Sequence, residues 1–271
     1  MLAFVIFTAE FITVVAFALA AFLLNTIDRN GFLASTAVGF SLIYGGGPSW
    51  FVIVAVFFGL GVVFTLYKYR YKQELGTAQE RGGARGWPNI LANGGAASAL
   101  ALVNIFGSSS VISVLFLGAI STSAADTVAT ELGLLSQGKP KLITHLATTV
   151  PPGTSGGVTP LGVMGALFAS LVIGGMAFFL GVGPMKPYVV LVCILGGVIG
   201  AFIDSFLGAT VQRKGYCLVC HKPTEVLRHC GEKTSVTGGV PYVENNVVNF
   251  LATVGGAVCA FAVLLVISSL A

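Results

Sequence analysis

This sequence predicts an all-α fold: a polytopic membrane helix bundle of about eight transmembrane helices. Three observations carry that reading. The chain of 271 residues is 55% hydrophobic and only 9% charged, where an average soluble domain has roughly 25% charged residues. Several apolar runs reach the roughly 20 residues that a helix needs to cross a bilayer. Lysine and arginine collect in three polar loops, as the positive-inside rule expects of a multi-pass protein. Residues 1–271 read as a single integral membrane domain, with loops 68–88, 136–158 and 211–246 on the basic, cytoplasmic-like side.

The first segment, Met1–Leu24, has no basic n-region and no small-residue cleavage site, so it reads as a helix, not a signal peptide. Glu10 within it either lines a cavity or means that the helix begins later. The second, Gly31–Tyr44, is short for a span and is tilted, paired or partly re-entrant. Six more follow: Ser49–Tyr67, Asn89–Phe106, Val111–Leu135, Thr159–Gly181, Tyr188–Leu207 and Val247–Leu270. Gly45-Gly46-Gly47-Pro48, Trp87-Pro88, Pro151-Pro152-Gly153 and Gly183-Pro184 punctuate the joins. Eight crossings put 13 of the 14 basic residues on one face and only Lys186 on the other, with both termini opposite the basic loops. A faint internal repeat runs through the second half. Small polar entries ("NGGAAS", "SGGVTP") each precede two spans that close on Asp-Thr or Asp-Ser, which suggests two parallel helical hairpins.

Eight crossings also bring the unusual polar groups to one membrane face. Asn93, Asp126, Thr127, Thr130, Glu131, Thr154, Ser155, Asp204, Ser205, Asn245, Asn246 and Asn249 all fall near the basic side, which points to a single site. Intramembrane acids are costly and read as functional by default. Asp126 and Glu131 sit near the C-terminal end of the fifth segment, where the helix dipole opposes them and a cation would compensate. They mark the edges of a face about 140° wide at 100° per residue, too far apart to grip one ion alone. The alternative is pairing with Lys139 or Lys141, or snorkelling to water. Asp204 ends a stripe of small residues, Gly197, Ala201 and Gly208, whose spacing serves helix packing. The acid itself exceeds what packing needs and reads as metal or nucleotide chemistry.

"PPGTSGGVTPLG" is the candidate phosphate loop. Glycines turn backbone N–H groups toward an anion, and Thr159-Pro160 opens a helix whose N-terminus favours negative charge. Thr154, Ser155, Gly156, Gly157 and Thr159 are its contact residues. The alternative is a plain glycine turn capped by Thr159. The sequence lacks the Gly-Lys-Ser/Thr ending of a Walker A loop. Asn93, Asn245, Asn246 and Asn249 suit a metal, ribose or phosphate, or bridge helices. Arg81, Arg85 and Lys139 suit phosphate contacts, or lipid headgroups. Cys217, Cys220, His229 and Cys230 have zinc-ligand chemistry, with free thiols as the alternative; Cys193 and Cys259 fall in apolar runs and read as packing. There is no nucleophilic triad, no voltage-sensor arginine series and no basic patch of the nucleic-acid kind.

"RGGARGWPNILANGG", "AADTVATELG", "TSGGVTPLG", "GAFIDSFLGATVQ" and "YVENNVVNF" resemble, in order, the signature blocks of the transmembrane protein 19-like family. That family includes the plant phytyl-phosphate kinase of tocopherol synthesis. The resemblance implies transfer of a phosphoryl group from a nucleoside triphosphate to a prenyl monophosphate. The residues fit such a kinase: Mg²⁺ wants hard oxygen ligands, and Asp126, Asp204 and Glu131 supply carboxylates as catalytic and metal-binding residues. A wider similarity to polyprenol kinases and phosphatidate cytidylyltransferase implies CTP. The expected partners are membrane lipids, the nucleotide and the prenyl phosphate, with no nucleic acid; self-association into a homo-oligomer stays open. Endoplasmic reticulum, plastid envelope and prokaryotic plasma membrane all fit as the compartment. The alternatives are a CTP-dependent lipid cytidylyltransferase, a transporter with polar groups on an access path, and a scaffold without turnover.

Overall fold

A computed structural model describes residues 2–183, 186–221 and 223–270. Pro184 and Lys222, used above in reading the joins and the charge pattern, lie outside the described residues. The fold is the helical membrane bundle that the sequence predicts. Each of the eight expected segments is a helix: α1 (Leu2–Leu23), α2 (Arg29–Gly46), α3 (Pro48–Leu66), α5 (Trp87–Phe106), α6 (Ser110–Gly133), α7 (Pro160–Leu180), α8 (Lys186–Thr210) and α9 (Asn245–Leu270). A short α4 (Tyr69–Glu74) lies between α3 and α5. Six of the described helices are long and apolar enough to cross a membrane, and Thr8–Leu23 adds a shorter apolar stretch.

The helix ends follow local chemistry. Asp28 caps α2 by accepting from the Gly31 N–H at 2.7 Å. Thr159 caps α7 by accepting from Gly162 at 3.0 Å, with Pro160 in the first turn. The turns also sort the bundle into two ends. The α1–α2 turn pairs with the α3–α5 loop through Ile27 and Arg85. The α2–α3 turn meets the other end of α5, where Asn104 Nδ2 donates to the Gly45 carbonyl at 2.6 Å. Helices α1, α2, α3 and α5 therefore alternate in direction, as successive crossings require.

Helix α6 is the axis of the molecule and packs against α3, α5, α7, α8 and α9. Phe116, Leu117, Ile120 and Val128 are fully buried, and the Phe116 ring stacks on Trp50 with centroids 3.8 Å apart. Between α6 and α9 the backbones nearly touch. A Cβ on Gly118 would come within 2.7 Å of the Gly256 carbonyl oxygen. In lipid, such close packing of small residues drives helix association, because apolar surface gains little by leaving one apolar medium for another.

The polar loops add elements the all-α reading did not include. Strands β1 (Lys141–Leu142), β2 (His145–Thr149) and β3 (Gly157–Val158) form one small sheet, ordered β2-β1-β3. Strands β4 (Lys214–Tyr216), β5 (Pro223–Thr224) and β8 (Ser235–Gly238) form a second, and β6 (Arg228–His229) pairs with β7 (Glu232–Lys233). All three loops meet at one end of the bundle: Gly153 lies against Thr77, and Ser155 Oγ donates to Glu225 at 2.6 Å.

Candidate active site

Helices α6 and α8 both run toward the looped end, and they pack against each other. Asp126 lies two turns before the end of α6, and Asp204 lies at a similar distance from the end of α8. Equal depth makes the two carboxyl groups meet within hydrogen-bonding reach of each other. Helix α9 adds Asn249: oriented so that its amide nitrogen donates, that group reaches Asp204 Oδ2 at 3.2 Å and the Asn245 carbonyl at 2.9 Å. Facing carboxylates at one depth are a hard-oxygen donor set that asks for a shared cation. On donor chemistry the pair fits Mg²⁺.

The pair opens into a cavity of about 200 Å³. One wall is the loop Gly153–Thr159 with the first turn of α7, and another is Thr130 of α6 and Ser205 of α8. Val163 and Ala166 of α7 with Val198 and Phe202 of α8 make an apolar flank. Gly153 and Gly156 have φ of +82° and +81°, so glycine is what lets the loop turn here. Gly156 also rests directly on the backbone of Ala209. Among the described residues, none accepts from the N–H groups of Ser155 or Gly156, which leaves both donors available beside the N-terminus of α7. The Gly157 N–H is taken by the Thr154 carbonyl at 2.9 Å.

Sequence reasoning missed two residues of this wall. Glu225 accepts from Ser155 Oγ, and its other oxygen accepts from Gln212 Nε2 at 2.8 Å. Both line the cavity. They come from the loop after α8, and an acid in a polar loop carries no desolvation signal to single it out.

The cavity gathers Asp126, Asp204, Thr154, Ser155, Gly156, Gly157, Thr159 and Asn245, with Asn249 behind Asp204. It does not gather Glu131. That carboxylate is 3% exposed, paired with Lys72 Nζ at 2.5 Å and hydrogen-bonded by Thr65 Oγ1 at 3.0 Å. It faces α3 and not α8, and its partner is neither Lys139 nor Lys141. Arg81 pairs with Asp28 at 2.8 Å, on the surface. The Arg85 guanidinium lies over the rings of Phe57 and Phe58, 6.0 and 5.6 Å from their centroids. Burial there pushes its pKa down to about 10, against the opposing charge of Glu131. Arg85, Asn89 and Asn93 line a separate apolar cavity of about 60 Å³. Ser123 Oγ donates to the Asn93 carbonyl at 2.8 Å, so this face of α5 also ties α5 to α6. Lys139 is exposed, and neither it nor Asn246 lines the site. Among the described residues, no lysine, arginine or histidine lines the larger cavity.

Comparison with known proteins agrees with this architecture. The profile of the family described as integral membrane protein DUF92 matches residues 12–257. Protein PGR of Arabidopsis thaliana is 30% identical, over 84% of this chain and 85% of its own length. An uncharacterized membrane protein of Methanocaldococcus jannaschii is 33% identical, over 70% of this chain and 76% of its own. Protein VTE6, chloroplastic, of Arabidopsis thaliana is 31% identical over 71% of this chain, which spans 58% of that protein. No solved structure matches. These matches bear out the resemblance to the transmembrane protein 19-like family. With its profile running from α1 into α9, the chain belongs to the integral membrane family DUF92.

Proposed function

We propose that this protein is a membrane-embedded isoprenyl-phosphate kinase. It transfers the terminal phosphoryl group of a nucleoside triphosphate, CTP by preference, to a phytyl-like prenyl monophosphate. The observation that carries the reading is a facing carboxylate pair in a cavity with one polar and one apolar wall, near one end of the spanning helices. An amphiphilic phosphate needs both walls at once. The prenyl chain lies along Val198 and Phe202, and its phosphate reaches the acids.

Phosphoryl transfer is mostly positioning and charge neutralisation. Mg²⁺, when bound, would neutralise phosphate charge. Asp126 and Asp204 would hold it, and Asn249 fixes the Asp204 carboxylate. The N–H groups of Ser155 and Gly156 and the N-terminus of α7 receive phosphate oxygens. An oxygen of the prenyl phosphate attacks the terminal phosphorus, the bond to the departing nucleoside diphosphate breaks, and that product keeps the electron pair. At neutral pH the attacking group already carries negative charge, so no base has to remove a proton. This suits a cavity whose described lining holds no histidine or lysine. An alcohol acceptor would make the opposite demand.

The test incubates purified protein in detergent with Mg²⁺, phytyl or geranylgeranyl monophosphate, and CTP, ATP, UTP or GTP in turn, with mass spectrometry of the lipid. The expected product is the prenyl diphosphate, absent with Asp126→Asn. A nucleotidyl-lipid would replace the kinase with a cytidylyltransferase. No product from any pair with folded protein overturns both.

A further inference from the structure

The loop after α8 folds without an apolar core. Among the described residues from β4 to β8, Cys217 is the only buried hydrophobic side chain, while Leu218, Val219, Val226, Leu227 and Val236 are between 41% and 64% exposed. A segment of this size usually needs a covalent or metal staple to hold one shape. Arg213 supplies part of the order. It is 1% exposed and donates to the Val226 carbonyl and to Thr234. Its hydrogen bonds reach one side of the loop only.

The other side holds four ligand groups. The donor atoms of Cys217, Cys220, His229 and Cys230 all lie within 4.8 Å of one another. Two tight turns bring them there. Cys217 and Cys220 occupy the tip between β4 and β5, where the His221 N–H donates to the Cys217 carbonyl at 3.0 Å and His221 has φ +56°. Backbone N–H groups of Val219 and Cys220 point at Cys217 Sγ. His229 and Cys230 are chain neighbours, an awkward pair of ligands on an extended strand. Here His229 ends β6, and Cys230 and Gly231 form a two-residue turn with φ +52° and +83°. The left-handed backbone at Cys230 swings its sulfur to 3.3 Å from His229 Nδ1, and Cys220 Sγ lies 3.4 Å from the same nitrogen. Zinc–sulfur and zinc–nitrogen bond lengths give a tetrahedral S···N edge of about 3.6 Å. The cluster is thus close to the size of one zinc coordination shell.

We propose that Cys217, Cys220, His229 Nδ1 and Cys230 hold a structural zinc ion that clamps this loop and so fixes Glu225 against Ser155 at the cavity rim. Three thiolates and one imidazole form a closed tetrahedral set, which leaves no open position for catalysis. Glu225 lies between the two ligand pairs, so the clamp restrains both ends of the segment that carries it. The inference rests on the loop alone and holds whatever reaction the cavity performs.

The experiment uses the full chain, reduced in detergent, supplied with Zn²⁺, desalted, and assayed for bound metal and by X-ray absorption. The expected result is about one zinc per chain with three sulfurs and one nitrogen. The zinc is lost in Cys220→Ser and retained in Cys259→Ser, whose thiol lies in α9. Hydrogen exchange of the wild type after zinc removal should rise in 213–238 and in 153–157. A chain that takes up no zinc, a Cys217–Cys220 disulfide under these conditions, or zinc that survives Cys220→Ser each overturns the proposal. Unchanged exchange at 153–157 overturns the link to Glu225.

Discussion

Asp126 and Glu131 are five residues apart on one helix, yet they do different things. Five residues turn an α-helix through about 140°, so a carboxylate aimed at α8 puts the other toward α3. The cost of burying an acid made both visible in the sequence. The partner that separates them, Lys72, lies 59 residues upstream of Glu131, beyond any local pattern. Lys72 also donates to the Phe64 carbonyl at 2.7 Å, so the pair ties α4 and α3 to α6. Lys72→Met leaves the Glu131 carboxylate buried and unmatched, with an expected loss of about 3–5 kcal/mol. Thermal unfolding in detergent reads it, and Lys72→Met with Glu131→Leu should recover most of the loss. Asp204→Asn should behave in the opposite way. It removes like-charge repulsion from the facing pair, so the unfolding temperature holds or rises, while the proposed phosphoryl transfer should fall roughly 10²–10³-fold. A matched fall in both would make Asp204 a packing residue.

Helices were the most legible elements, because a hydrocarbon environment demands long apolar runs and internally paired backbone. Their ends could be read to within a few residues, from Pro88, Pro160 and the Thr159 cap. The strands could not. β1, β3, β5, β6 and β7 are two residues each, held by pairing across a loop and not by alternation along it. Helix α4, at six residues, is too short to carry a helical period within its polar loop. The phosphate-loop motif was legible as a turn, but its wall against α8 was not. That contact tests the loop. Gly156→Ala places a Cβ 2.8 Å from the Ala209 backbone nitrogen at a φ of +81°. The expected cost is about 1–3 kcal/mol, with weaker nucleotide binding in a calorimetric titration. Gly138→Ala, where a Cβ meets open space, should change neither.

At the scale of the whole molecule, the count of basic residues per loop anticipated that the three long loops share one end, and contacts such as Gly153 with Thr77 and Ser155 with Glu225 join them there. The same alternation puts Ser109, between α5 and α6, at the other end. In sealed vesicles a membrane-impermeant maleimide should reach Ser109→Cys from one side and Gly138→Cys from the other, above the labelling of the parent protein. Labelling of both from one side would break the crossing order. The cavity has a consequence at this scale too. Its polar wall belongs to the loops, whereas its apolar flank belongs to α7 and α8, where Phe202 is 38% exposed on the side of the bundle. A nucleotide and a lipid would enter such a site by different doors, one from water and one sideways from the bilayer, and neither has to wait for the other to leave. Turnover would then follow the mole fraction of acceptor in the membrane and not its amount per volume of solution, so that diluting the acceptor with inert lipid slows the protein while diluting the vesicles does not.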